Sequence, residues 1–199
     1  MSPADLTGVL DFLRAAERLK ATHRSAYTST GERESTAEHS WRLCLMAMVL
    51  APEFPDVDVA RLIRICIVHD LGEAVNGDVP APEQARRLAK DPAAHKAADE
   101  RADLVTLVAP LPAPMRDTIV ALWDEYEAAR TPEARLAKAL DKLETILQHT
   151  QGDNPPDFDY RFNLGYGRRF TAGHPVVERL RAALDRETER RAVESETGA

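Results

Sequence analysis

Cysteine is nearly absent from this 199-residue chain. Cys44 and Cys66 stand alone, each in an apolar run of helical character, so buried free thiols in a reducing compartment are expected rather than a disulfide or a thiolate metal pair. A basic excess is lacking too. The net charge of −7 argues against a general binder of nucleic-acid polymers or anionic membranes, while leaving room for a local basic pocket. No apolar run approaches membrane-spanning length, and the N-terminal MSPADLTG lacks the pattern of a signal peptide, so a cytoplasmic protein is expected. No internal repeat is visible, and no segment alternates apolar and polar residues long enough to insist on a strand.

What remains is helix after helix. Hydrophobic residues at 44% and charged residues at 30% suit one soluble domain with a substantial core. Ser2-Pro3-Ala4-Asp5 supplies an N-cap, a first-turn proline and an acid at N3 for a helix to about Lys20. Ser35-Thr36-Ala37-Glu38 is a capping box leading into the run Trp41 to Leu50, with Trp41 expected in the core. Val59, Leu62, Ile63, Cys66 and Ile67 recur at helical spacing while Ile65 and Val68 fill the other face. That helix is expected to be the surrounded, central one of a bundle. Further helices are expected near 82–90, 93–108, 113–129, 132–150 and 175–191, with loops at Thr28–Gly31, Pro110–Pro114 and Gly152–Pro156. The fold class is all-α: a single helical bundle over 1–185 and a charged, fraying tail over 186–199.

One stretch does not fit a bland bundle. IVHDLGEAVNGDVP, from Ile67 to Pro80, carries His69, Asp70, Glu73 and Asp78 to the end of an apolar run with no basic residue among them. Buried acids are costly unless something positive sits with them. If the helix continues, Asp70 and Glu73, three apart, share a face, as do His69 and Glu73, four apart. Taken alone, a His-Asp pair is most simply a helix end with a satisfied histidine. Upstream, however, ERESTAEHSWRL places His39 in the first turn of an apolar helix. Downstream, LAKALDKLETIL sets Asp141 among Leu136, Leu140, Leu143 and Leu147. Two nitrogens and two carboxylates suit a divalent metal of intermediate hardness with positions open to water and substrate.

The strings ESTAEHSW, HDLGEAVNGD, WDEYE and ALDKLE, between about Leu19 and Leu147, resemble the HD-domain metal-dependent phosphohydrolases. Within them the likeness is to the subgroup of bacterial 5′-deoxynucleotidases and their eukaryotic relatives. The resemblance implies a metal-dependent phosphomonoesterase that converts (deoxy)nucleoside 5′-monophosphates to nucleoside and phosphate. It implies His39, His69, Asp70 and Asp141 as ligands to one divalent ion, with Mn, Co, Fe, Zn, Ni and Mg all open. Glu73 becomes the acid that orients or deprotonates the attacking water. Asp78 becomes the sugar contact at the 3′-hydroxyl, and Arg24, fifteen residues before His39, the phosphate-binding arginine. A homodimer is implied as well. Ser25 departs from the bacterial pattern, which has a tryptophan there near the sugar 2′ position, so deoxy-selectivity loses its steric cause. Trp123 and Tyr126, a turn apart, suit packing better than base stacking. Hydrolysis of a di- or triphosphate, cyclic nucleotide or alarmone shares the same metal core, and a non-catalytic nucleotide sensor is the reading from another class. A di-iron oxygenase would need further histidines, and only His95 lies between Asp70 and Asp141.

Overall fold

The chain was described by a computed structural model covering residues 1–80, 83, 86 and 96–197. Ser2 opens α1 (Pro3–Ala16): its hydroxyl accepts from the Asp5 amide at 3.1 Å, and the Asp5 carboxylate accepts from the Ser2 amide at 2.8 Å. A 3₁₀ turn over Glu17–Lys20 follows, and then the chain leaves the helical pattern. β1 (His23–Tyr27) pairs antiparallel with β2 (Arg33–Ser35), His23 facing Ser35 and Tyr27 facing Arg33 with an irregularity between. The stretch expected as a loop at Thr28–Gly31 is the turn of this hairpin, with Gly31 at φ 82°. Strands of five and three residues are too short to show alternation, which is why none was expected.

Ser35 ends β2 and caps α2 (Thr36–Leu50) through a second capping box with Glu38. Then come α3 (Val59–Val68), the short α4 (Glu73–Asn76), α5 (Lys96–Val108), α6 (Ala113–Ala128), α7 (Pro132–Gln151), the short α8 (Phe162–Gly165) and α9 (Pro175–Thr197). The expected helix at 82–90, apart from residues 83 and 86, and the first residues of the one at 93–108 lie outside the described residues, as does His95.

The surrounded helix is α7, not α3. α2, α3, α6, α9 and β1 all pack on α7, and its Ala134, Leu136, Ala137, Ala139, Leu140, Leu143 and Ile146 are buried on successive faces. On α3 only Leu62, Ile65, Cys66 and Val68 are buried, while Ile67 is 53% exposed. Apolar residues on both faces of a ten-residue helix therefore did not mean enclosure. Leu43, Leu62, Ile65, Leu104, Leu140 and Leu143 meet at the centre, each 0% exposed. Truncating any one of these leucines to alanine should cost about 2–5 kcal/mol. Trp41, expected in the core, is 66% exposed, because the face of α2 that packs inward carries His39, Leu43 and Ala47 instead.

Two further features frame the site. The segment after Arg186, expected to fray, is helical to Thr197, with Thr188 and Ala192 buried and Arg191 donating to the Gly152 carbonyl and the Tyr160 hydroxyl, both at 2.7 Å. The hairpin is strapped to the end of α7. Asp153 donates its amide to the Thr28 carbonyl at 2.9 Å, and Gln148 donates from Nε2 to the Tyr27 carbonyl. A Cβ on Gly152 would collide with that same Tyr27 oxygen, so only glycine allows the approach.

Candidate metal centre

Helix α3 ends at Val68, and His69 is its C-cap, so His69 and Asp70 are delivered at a helix end rather than from mid-helix. A tight turn through Gly72 then starts α4 at Glu73. A Cβ on Gly72 would lie 2.9 Å from the Glu100 carbonyl, so glycine lets this turn press against α5. The continuous helix expected through Glu73 is thus broken, and Glu73 reaches the cavity from a separate element.

Four side chains of metal-ligating type converge there. His39 Nε2 lies 3.3 Å from His69 Nε2, 3.7 Å from Asp70 Oδ2 and 3.4 Å from Asp141 Oδ1. His69 Nε2 lies 3.0 Å from Asp70 Oδ2 and 4.0 Å from Asp141 Oδ1. Both histidines and Asp141 are buried. The outer nitrogens define the inner ones. His69 Nδ1 donates to the Cys66 carbonyl at 2.8 Å, and His39 Nδ1 is paired with Glu144 Oε2. A carbonyl can only accept, so the proton of His69 sits on Nδ1 and its Nε2 presents a lone pair to the cluster. Lone pairs this close repel unless a cation stands between them. Separations of about 3 Å are the edges expected for ligands some 2.1 Å from a common ion. The donor set fits a divalent metal.

The electrostatics agree. Burial and Arg24 disfavour a cationic His39, yet Glu144 and Asp141 outweigh them and push it up to about 10. The two acids thus favour a positive charge at His39, which a divalent ion would supply on displacing the Nε2 proton. Asp70 and Asp141 are held well below the usual carboxylate range: burial opposes this, but the neighbouring histidines overcome it at Asp70, and Lys142 with His39 does so at Asp141.

Around the cluster, each group is held by another. Tyr126 donates to Asp141 Oδ2 at 2.7 Å and Lys142 Nζ lies 2.8 Å from the same oxygen, so Oδ1 alone is left to face the histidines. Trp123 donates from Nε1 to the His69 carbonyl at 3.0 Å, pinning the backbone of the pair. Arg24, on β1, reaches across to Asp70 Oδ2 at 3.4 Å, Thr145 Oγ1 at 3.1 Å and Glu34 Oε2 at 3.3 Å. Glu73 Oε2 accepts from Thr36 Oγ1 at 2.8 Å, and burial, then Asp70 and Asp78, raise its carboxyl to about 9. Asp78 and Ser25 line the same cavity, with Lys142, Thr145, His149 and Tyr166. Glu38 is the capping-box acid alone.

Glu34, His39 and Glu144 also lie within ligand reach of one another. Arg42 occupies Glu144 Oε1 from Nε at 2.6 Å, and Arg24 and Arg42 face Glu34. With His39 Nδ1 turned to Glu144 as well, this group is the support behind the cluster rather than a rival centre. Sequence reading missed Glu144, Arg42, Thr36, Lys142 and His149. For two of them a signal was present: Glu144 follows Asp141 by three on a buried helix, and Arg42 follows His39 by three, so each shares a face with its ligand.

A family model described as "HD domain" matches residues 16–180. The chain is 33% identical over 190 residues to the 5′-deoxynucleotidase HDDC2 of Mus musculus, covering 93% of this chain and 89% of that one. It is 31% identical to the 5′-deoxynucleotidase HDDC2 of Homo sapiens, covering 90% and 85%. A solved structure described as a predicted metal-dependent phosphohydrolase from Magnetospirillum magnetotacticum MS-1 superposes with a TM-score of 0.75 at 28% identity, covering 97% of each chain. The helical frame, the histidine–aspartate cluster at a helix end and these matches agree: the chain belongs to the HD domain family.

Proposed function

We propose that this protein is a metal-dependent phosphomonoesterase that hydrolyses nucleoside and deoxynucleoside 5′-monophosphates to nucleoside and phosphate. The observation that carries the reading is the convergence of two histidines and two carboxylates, a donor set suited to a divalent metal, beside a buried arginine. The names of the relatives from mouse and human support the substrate class. His39, His69, Asp70 and Asp141 would hold one divalent ion, which when bound supplies Lewis acidity to the phosphate and a water acidic enough to attack.

The remaining chemistry belongs to the chain. Arg24, kept cationic by Asp70 and Asp78 although burial opposes it, meets the phosphate oxygens and stabilises their charge in the transition state. Its contact with Asp70 supports a phosphate position against the cluster. Glu73, oriented by the Thr36 hydroxyl, would receive the proton of the attacking water, because a divalent cation beside Asp70 would offset the acids that raise its carboxyl. Asp78, across the cavity, meets the sugar. Ser25 leaves room beside it, so both sugar series should be accepted.

The exposed apolar face of α2, formed by Trp41, Leu45, Met48 and Val49, supports a homodimer. Two free thiols support a reducing, cytoplasmic setting; among the described residues no helix is long and apolar enough to cross a membrane. The test is a phosphate-release screen over nucleoside mono-, di- and triphosphates with each of several divalent metals. Metal-dependent release confined to 5′-monophosphates is expected. Release from triphosphates or cyclic nucleotides alone would overturn the reading.

A further inference from the structure

One buried ring of the cavity has no task in the chemistry above. His149 sits on α7, is 5% exposed and lines the cavity that holds the metal cluster. Asn163 Oδ1 lies 2.8 Å from its Nδ1, and the Phe158 ring packs edge-on against it with centroids 4.9 Å apart. Asn163 is itself 0% exposed and is fixed by Arg181, which donates from Nη2 to the Asn163 backbone carbonyl at 2.8 Å. An amide oxygen can only accept, so Nδ1 carries the proton and Nε2 the lone pair. Burial pushes the ring down to about 4, keeping it neutral near pH 7. Nε2 has no hydrogen-bond partner among the described residues. Nδ1 is committed to Asn163, so Nε2 is the nitrogen left to meet what enters the cavity, and at the wall of a substrate cavity that partner is the substrate.

We infer that His149 Nε2 accepts a hydrogen bond from a sugar hydroxyl of the nucleotide and is a specificity residue, an inference that rests on the nucleotidase reading. The choice of group follows from chemistry. A phosphate monoester offers only acceptor oxygens near neutrality, so a lone pair repels it. Of the donors on a nucleotide, the sugar hydroxyls are nearest the phosphate. Thr145, which receives Arg24 Nη2 at 3.1 Å, lies four residues before His149 on α7, about 6 Å along the axis. His149 therefore stands one sugar's reach beyond the phosphate-binding arginine, short of the base. Asn163 acts through His149 and is a positioning residue.

The test compares kcat/KM for CMP, its 2′-deoxy and 3′-deoxy analogues and UMP, with wild type, His149→Phe and His149→Gln. In wild type, removal of one of the two hydroxyls should lower kcat/KM by about tenfold, the worth of one neutral hydrogen bond. The arm that falls identifies which hydroxyl is read. His149→Phe should lose that discrimination while acting on all four compounds, and His149→Gln, whose amide oxygen can accept, should restore part of it. Three results would overturn the inference: wild type indifferent to both hydroxyls, a tenfold penalty for UMP in their place, or His149→Phe slowing every substrate equally with its discrimination intact. The wild-type series alone decides the first two, even if the phenylalanine variant fails to fold. Phosphate release from none of the four compounds would instead remove the nucleotidase reading itself.

Discussion

Glu144 gives the sharpest test of how the metal centre is built, because it touches none of the cavity and yet both of its oxygens are committed. Oε2 is paired with His39 Nδ1, and Oε1 receives Arg42 Nε at 2.6 Å, in a side chain that is 0% exposed. Glu144→Gln keeps the shape but replaces one acceptor oxygen by an NH2 group. If the amide oxygen turns to His39, its nitrogen faces the Arg42 guanidinium, donor against donor. If it turns to Arg42, His39 Nδ1 loses its acceptor. One buried donor is unpaired either way, which costs about 1–3 kcal/mol. Arg42 keeps Gln151 Oε1 at 3.1 Å, which puts the loss towards the lower end. The second effect is on His39 as a ligand. Removing the group that holds a metal-binding histidine weakens metal affinity by about 10–100-fold. Through linkage, the extra stability that saturating metal gives the fold should then shrink by about 1.4–2.7 kcal/mol at equal free metal. Urea unfolding of chelator-treated and metal-loaded protein reads both quantities. Equal metal-induced increments in wild type and Glu144→Gln would refute the argument, and would leave Glu144 as a structural partner of Arg42 only.

Four further outcomes are expected. Asp141→Ala should lose most of the metal bound by wild type, read by metal analysis of protein purified without chelators; full retention would remove Asp141 from the ligand set. Glu73→Ala should lower turnover by about 10²–10⁴-fold while metal content and substrate binding persist, and unchanged turnover would reduce Glu73 to a partner of Thr36. Ser25→Trp should raise the deoxy-over-ribo ratio of kcat/KM for dCMP against CMP, from a wild-type value set by contacts worth about 1–3 kcal/mol; a wild-type ratio of about a thousand or more would assign that discrimination to another group. For His149, burial lowers the pKa to about 4 from the 6.5 of an unperturbed histidine. Below pH 6.5 the unfolded chain takes up a proton that the fold refuses, so this contribution is complete above pH 6.5 and is lost as pH falls, approaching about 3 kcal/mol near pH 4. Urea midpoints of wild type and His149→Phe should diverge over that window, and parallel profiles would contradict it.

The residues that were legible in the sequence are those whose signal is local or chemically discordant. Ser2 and Ser35 announced their helices because a capping box is complete within four residues. Asp141 stood out because a carboxylate between Leu140 and Leu143 has no reason to be there without a partner. Arg24 was different: forty-six residues separate it from the Asp70 that it meets, and resemblance rather than pattern singled it out. His149 and Asn163 gave nothing, since a histidine among Gln148, Thr150 and Gln151 reads as polar surface. Its burial depends on Phe158, which only the folded path after α7 brings over it. The central helix was misassigned for the same reason. Apolar content tells how much a helix can bury, whereas the number of neighbours that surround it is a property of topology.

The hairpin has a consequence of another kind. His39, His69, Asp70 and Asp141 all ride on helices or helix ends, whereas Arg24 and Ser25 ride on a two-stranded ribbon fastened to the end of α7 by Gln148, Gly152 and Asp153. The cluster and the ribbon that brings Arg24 to it are therefore separate parts of the fold. A ribbon of different length or side chains, grafted between Ala21 and Ser35 with Arg24 and the Gly152 seat retained, would change the wall of the cavity beside the cluster and leave the cluster itself in place.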